Sequence, residues 1–182
     1  MAINPAVAAP QGCQDSALLN DWHVVAAATD IVPDKLVPLT LFERDLVAWR
    51  DAGGEVHVWE DLCLHRGSRL SKGFIQNNRV VCPYHGWNYD GSGQCVLMPY
   101  APQDRPARKA RAIVHHAVEK YGLIWACLGT PERDVVALPE WDDPSYKKVV
   151  CGPYKFKSGP VYHRQSAGYS GIIFLKRRRF SG

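Results

Sequence analysis

Two pairs of residues with the ligand chemistry of a metal centre lie close together in the middle of this sequence. The first pair is Cys63-x-His65, and the second, after sixteen intervening residues, is Cys82-x-x-His85. Thiolates and imidazoles are the ligands of zinc sites and of some iron-sulfur clusters. Structural zinc sites usually draw like ligands from one turn, whereas here each segment supplies one cysteine and one histidine. The mixed pairs therefore favour a cluster over zinc.

A cluster with two chemically different irons requires this arrangement. When one iron is held by two thiolates and the other by two imidazoles, each of two facing loops must contribute one ligand to each iron. CLHRG followed by CPYHGW resembles the motif of the Rieske non-heme iron oxygenases, and the resemblance to their large subunit covers about residues 21–129. It implies a [2Fe-2S] cluster whose inner iron binds Cys63 and Cys82 and whose outer iron binds His65 and His85, with the imidazole edges near the surface.

The resemblance also implies a function. In this family an NAD(P)H-dependent reductase with flavin and iron-sulfur centres, or a ferredoxin, supplies single electrons to the Rieske cluster. The cluster passes them to mononuclear Fe(II) in a neighbouring subunit of a homotrimer. We therefore expect the electron-transfer module of the terminal component of an aromatic-compound oxygenase, of the dioxygenase or O-demethylase type. A stand-alone Rieske-type ferredoxin and a zinc-stabilised interaction module are the alternatives.

Three positions beside the motif predict a low reduction potential. The resemblance places Ser68 and Tyr84 where respiratory Rieske proteins carry the cysteines of a disulfide that clamps the loops. It places Trp87 where those proteins carry a serine that hydrogen-bonds a cluster sulfur. Fewer hydrogen bonds stabilise the reduced, more negative cluster less. We expect a potential towards the low end of the roughly −150 to +300 mV range of Rieske centres.

The elements that must position these pairs are short strands. WHVVAAATD, LVPLTLF, DLVAWR and EVHVWE predict a first strand and an antiparallel meander, and RVVCP predicts a strand that ends at the second ligand pair. WNYDGSGQCVLMP predicts a hairpin, and ARAIVHHAVEK and YGLIWACLG predict two further strands. Helical periodicity is weak. The prediction is an all-β Rieske domain of stacked antiparallel sheets, with each ligand pair at a loop tip.

Four segments divide the chain in this interpretation. They are a flexible arm at 1–20, the Rieske domain at 21–130, a linker with the start of a truncated catalytic domain at 131–160, and a basic tail unlike the family at 161–182. A catalytic iron site would need two histidines and a carboxylate. His163 is the only histidine after His116, so we expect no catalytic residues and no oxygenase activity in this chain alone.

Charge and composition exclude several classes of protein. Lys176 and residues 177–179 account for the whole net charge of +4, so nucleic acid is a disfavoured partner. The chain is 46% hydrophobic, yet its apolar stretches are far shorter than the roughly 20 residues of a membrane span. The first 34 residues contain no Lys or Arg, which argues against a secretion signal. We expect a soluble, cytoplasmic protein.

Overall fold

The computed structural model describes residues 13–151 and 171–176 and is built almost entirely of strands. Within these residues α-helix is limited to the single turn α1 (Ser16–Leu19). The strands are β1 (His23–Ala27), β2 (Val37–Leu41), β3 (Arg44–Arg50), β4 (Val56–Glu60), β5 (Phe74–Gln76), β6 (Arg79–Val81), β7 (Asn88–Tyr89), β8 (Cys95–Leu97), β9 (Val114–Lys120), β10 (Leu123–Cys127), β11 (Tyr146–Cys151) and β12 (Gly171–Lys176). The all-β prediction is confirmed. None of the described helices is long and apolar enough to cross a membrane.

Six antiparallel strands form the larger sheet, in the order β1-β10-β9-β4-β3-β2. The predicted meander is present as β2, β3 and β4, and Phe42 and Glu43 make its first turn with positive φ angles of 51° and 64°. Strand β1 pairs with β10, in the register His23 to Ala126, and not with the strand that follows it in sequence. The first strand of the domain is thus held by the last.

Strand β3 is buried on both faces of the sheet. Leu46 and Ala48 belong to one apolar core, which lies against β1 and β10, while Val47 and Trp49 belong to a second core. All four side chains have 0% exposure. Because successive side chains of a strand point to opposite faces, a continuous apolar run serves both cores. The second core also contains Cys63 and Cys82, so the larger sheet packs directly beneath the candidate metal ligands.

Four short strands form the smaller sheet, in the order β5-β6-β7-β8. This sheet and both ligand pairs lie between β4 and β9 in the chain, and these two strands are themselves neighbours in the larger sheet. Val58 pairs with His115, and the amide of Glu60 donates to the carbonyl of Ile113 at 2.9 Å. The part of the chain that contains both ligand pairs is therefore an insertion whose two ends meet.

The ends of the described chain add two smaller features. In the arm predicted for residues 1–20, Asp15 caps α1 by accepting a hydrogen bond from the amide of Ala17. The carbonyl of Leu19 accepts hydrogen bonds from the Gly129 amide at 2.7 Å and from the Cys127 thiol at 3.2 Å, so this turn is attached to the end of the domain. Strand β12, within the predicted tail, pairs with β11. Residues 152–170 and 177–182 of the predicted linker and tail lie outside the described residues.

Candidate metal centre

The two ligand pairs lie on loops with the same hydrogen-bond pattern. The Cys63 amide donates to the Ser68 carbonyl at 2.8 Å, and the Cys82 amide donates to the Trp87 carbonyl at 2.9 Å. In each loop a glycine four residues after the cysteine donates back to the cysteine carbonyl, at 2.8 Å from Gly67 and 3.1 Å from Gly86. Each cysteine is therefore held at the base of a closed five-residue loop, so the two pairs lie in loops as predicted, with their cysteines at the base and not at the tip.

The glycines beside the loops are required by backbone geometry. Gly67 and Gly86 have φ angles of 73° and 68°, in the left-handed region that a side chain disfavours. Gly73 has no such angle, but a Cβ atom at this position would collide with the carbonyl oxygen of Val81. The structure thus explains Gly67 and Gly86 by conformation, and Gly73 by the close approach of two chain segments.

A buried carboxylate anchors the first loop. Asp61 is 3% exposed and accepts hydrogen bonds from both the amide and the hydroxyl of Ser71, each at 2.6 Å. Arg69 lies 3.6 Å from the same carboxylate and 2.7 Å from Asp45. Because Asp61 precedes the loop and Ser71 follows it, these contacts join its two ends and fix the position of the first cysteine.

The fold brings together all four predicted ligands. Cys63 and Cys82 are buried at 1% and 3% exposure in the same apolar core, and each thiol shifts the pKa of the other. The imidazole rings of His65 and His85 are separated by 4.5 Å between centroids. Two thiols on one side and two imidazoles on the other match the donor set of a cluster with unlike irons.

His65 provides the test of whether a metal group fits this site. Its ring is 5% exposed and stacks on Trp87 at 4.5 Å with an interplanar angle of 5°. Both ring nitrogens are buried and have no hydrogen-bond partner among the described residues. Burial lowers the pKa of His65, and the charges of His85 and Arg66 lower it further, which favours the neutral imidazole that binds metals. A buried imidazole whose nitrogens have no hydrogen-bond partner among the described residues is consistent with a metal ligand.

His85 differs from His65 in its exposure. It lies in the exposed stretch that includes Pro83 and Tyr84, and the ring of Tyr84 is 3.9 Å from its own. His65 is far less exposed than His85, because Trp87 and Tyr100 flank its ring. In the described residues only the His85 edge reaches solvent.

The electrostatics of the thiol pair favour one thiolate. The hydrogen bond between the thiols raises the pKa of Cys63 far above its usual range and lowers the pKa of Cys82 to about 6. Burial opposes ionisation of both groups. The amides of Tyr84 and His85 and the hydroxyl of Ser68 also donate to the Cys82 sulfur. Of the two thiols, Cys82 is therefore the one that ionises more readily, and the thiolate is the form that binds metals.

Tyr89 contacts a predicted ligand, and the sequence interpretation missed it. Its ring is completely buried, and its hydroxyl lies 3.1 Å from the Cys63 sulfur. Burial raises the pKa of Tyr89 well above its usual range, so the phenol keeps the proton that it can donate. The only sequence signal is the placement of a tyrosine two residues after Trp87, in the same strand that closes the second loop.

We expect Tyr89→Phe to lower the reduction potential of the cluster-loaded chain by about 40 mV. A hydrogen bond of about 1 kcal/mol to the Cys63 thiolate stabilises the more negative, reduced state, and for one electron about 59 mV corresponds to a tenfold change in equilibrium constant. Protein-film voltammetry measures the shift. Tyr84→Phe, at an exposed position of the second loop, is the control and should leave the potential unchanged. An unchanged potential in Tyr89→Phe contradicts the assigned hydrogen bond.

Other cysteines and histidines of the described residues have different surroundings. Cys95 and Cys127 are buried, and burial raises the pKa of both thiols, as suits apolar packing. His115 is buried against Glu60 at 3.0 Å, whereas the neighbouring His116 is exposed.

A second group of possible metal ligands does not fit a catalytic iron. Asp51, Glu55 and His57 could bring their ligand atoms within 4.8 Å of one another. His57 is the only imidazole of the group, and its Nε2 contacts the Asp51 carboxylate at 3.2 Å. A catalytic non-heme Fe(II) uses two histidines and one carboxylate. Within the described part of the chain, these residues therefore do not supply that set.

Comparison with known proteins gives consistent matches over the same region. A sequence profile described as the Rieske [2Fe-2S] domain matches residues 21–121. Methylxanthine N1-demethylase NdmA of Pseudomonas putida is 35% identical over 156 residues, which are 77% of this chain and 44% of that protein. Oxidoreductase NdmD of the same species is 35% identical over 121 residues, 66% of this chain and 21% of that protein.

Solved structures agree with these matches. NdmA of Pseudomonas putida CBB5 superposes with a TM-score of 0.67 at 33% identity, over 75% of this chain and 43% of that one. Apo dicamba monooxygenase superposes with a TM-score of 0.66 at 32% identity, over 74% of this chain and 42% of that one. The chain spans less than half the length of each of these relatives.

Proposed function

Because the chain belongs to the Rieske [2Fe-2S] domain family, we propose that it is the electron-transfer module of the terminal component of an aromatic-compound oxygenase. Cys63 and Cys82 would hold one iron of the cluster, and His65 and His85 the other. The observation that carries the assignment is His65, a buried imidazole whose two nitrogens have no partner among the described residues. It lies beside a buried thiol pair of the type that such a cluster needs.

The residues around the site have separate tasks in this proposal. When bound, a Rieske cluster supplies a one-electron couple on irons that have no open coordination position. Tyr89 donates to the Cys63 sulfur, while the Cys82 sulfur accepts from Ser68 and from two loop amides. Trp87 covers the face of His65 and excludes water from it. His85, the exposed ligand, provides the path for electrons to enter and leave.

The wider system follows from the relatives. One of them is named an oxidoreductase, and others are named a demethylase and a monooxygenase. We propose that an NAD(P)H-dependent flavin and iron-sulfur reductase, or a ferredoxin, reduces this module in the cytoplasm. The module would then serve mononuclear Fe(II) in a neighbouring subunit of a trimer. One related structure is described with non-heme iron and dicamba, which supports an aromatic substrate class.

Electron paramagnetic resonance of the reduced, cluster-loaded chain tests the proposal. Mixed ligation predicts two irons with acid-labile sulfide and a lower average g value than that of an all-cysteine cluster. His85→Cys, if it assembles, should raise the average g value and lower the potential by adding charge to the outer iron. A colourless protein that contains one zinc ion would contradict the proposal and favour the alternative of a zinc-stabilised interaction module. An all-cysteine spectrum from the unaltered chain would contradict the assignment of His65 and His85.

A further inference from the structure

The surface charge of the protein is divided between the two sheets. Residues 61–111, which contain the metal centre and the smaller sheet, have eight Lys or Arg and three Asp or Glu. Residues 13–60 and 112–151 together have seven Lys or Arg and fifteen Asp or Glu. All eight bases of the first group are exposed, whereas Asp61 is buried and Asp104 is the only exposed acid of that group. The described chain thus has a basic segment and an acidic remainder, and the ion pair of Arg69 with Asp45 joins the two.

Four of these bases lie in segments that adjoin the metal centre. Arg66 follows His65 directly, and Lys72 ends the 3-10 turn next to Gly73, which packs on Pro83. Arg105 and Lys109 line a cavity of about 530 Å³ together with Trp87 and Tyr100. We call Arg66, Lys72, Arg105 and Lys109 the basic rim. None of the four forms an ion pair with another described residue.

Exposed aromatic side chains lie in the same part of the chain as the basic rim. Tyr84 is 64% exposed, and Tyr100 and Phe74 are each 52% exposed. Tyr84 contacts His85, Tyr100 lies 6.4 Å from His65 between ring centroids, and Phe74 follows Gly73 at the start of β5. Aromatic residues surrounded by charged ones are typical of the core and rim of a protein interface. Such a surface at the point of electron entry predicts a partner.

We propose that the basic rim and these three aromatics form a docking surface for an acidic one-electron carrier, an iron-sulfur or flavin protein that meets the module at His85. The inference rests on the proposed function of the site. In the encounter the carrier loses one electron and the cluster gains it, with no bond made or broken. Opposite charges would steer the carrier to this face and away from the acidic remainder of the domain, which raises the association rate.

Stopped-flow reduction of the cluster-loaded full chain tests the surface. The probe is a strongly acidic plant-type [2Fe-2S] ferredoxin, reduced beforehand, and the second-order rate is measured over a range of NaCl concentrations. We expect Arg66→Glu and the double variant Arg105→Glu/Lys109→Glu each to slow the reaction by about tenfold or more at low salt. The difference should vanish near 1 M salt, where the Debye length is about 3 Å. Lys35→Glu carries the same charge change on an exposed lysine of the acidic part and should retain the rate of the unaltered chain.

The outcomes separate the docking surface from the function of the module. A rate that does not depend on salt, or an equal loss in Lys35→Glu, overturns the surface, while reduction by dithionite still reports a working cluster. If no cluster assembles, the proposed function fails. Calorimetric titration of the chain with oxidised ferredoxin still measures whether the docking surface binds the carrier. Binding that weakens in Arg66→Glu supports it, and absence of binding overturns it. If the chain binds a DNA duplex more tightly than it binds ferredoxin, the proposal that its partner is an acidic protein is overturned.

Discussion

Cys82→Ala is expected to remove the cluster completely, so that the purified chain contains background iron and sulfide and lacks the visible absorption of the unaltered protein. Cys82 is buried, and its hydrogen bond to Cys63 helps to lower its thiol pKa to about 6. Removal of one thiolate leaves the iron with an incomplete ligand set in a site that water does not fill readily. Iron and sulfide analysis together with the visible spectrum measures the loss.

Cys95→Ala is the matched control for this experiment. Cys95 is 2% exposed and belongs to the same apolar core as Cys82, so the two substitutions remove the same group from similar surroundings. We expect Cys95→Ala to retain two irons per chain and to lose only about 1 kcal/mol of stability, the cost of a small cavity. A Cys82→Ala chain that still holds the full iron content would contradict the proposed ligand set.

The chain as given is expected to form no oxygenated product, even when it is loaded with cluster and supplied with NADH and a reductase. Dioxygen activation at non-heme iron needs open coordination positions on a metal held by two histidines and a carboxylate. The described residues do not supply that set, since the group of Asp51, Glu55 and His57 contains a single imidazole. The only histidine after His116 is His163, which lies outside the described residues.

Product analysis and cluster bleaching followed together provide the measurement. The chain is incubated with a panel of methoxylated and aryl-ether aromatics, and a reaction with reductase alone is the control. Bleaching without product agrees with a module that accepts electrons but cannot use them. Product formed faster than in the control would show that this chain contains a catalytic site.

Local patterns predicted most strands but not how the sheet closes. The alternation in EVHVWE and the β-branched run RVV identify β4 and β6 without any long-range information. The pairing of β1 with β10 joins residues about a hundred positions apart, and no local pattern reports it. Strand β5 is only three residues long, too short to give a periodic signal. Register and closure depend on packing that acts between distant segments.

At the metal centre the sequence predicted the ligands but not their surroundings. The spacing of the two Cys/His pairs identified all four residues that the fold brings together. It could not distinguish the buried His65 from the exposed His85, because this difference comes from Trp87 and Tyr100 packing over one ring. Nor could net charge reveal the basic rim, since summing over the chain cancels surfaces of opposite sign. Tyr89 was missed because its importance depends on a 3.1 Å contact across the core.

The insertion of the smaller sheet between two paired strands makes the redox part of this domain portable. The first and last residues of the inserted segment are close together, because the Glu60 amide donates a hydrogen bond to the Ile113 carbonyl. We therefore expect that a tight turn from β4 to β9 can replace the segment and leave the hydrogen bonds of the larger sheet intact. Conversely, we expect that the segment can be inserted at a single position into a β-hairpin of another protein. The host must supply an apolar floor equivalent to Val47, Trp49 and Trp59, which the removal of the segment would expose. A protein that accepts this segment must therefore match both its closely spaced ends and the apolar face beneath it.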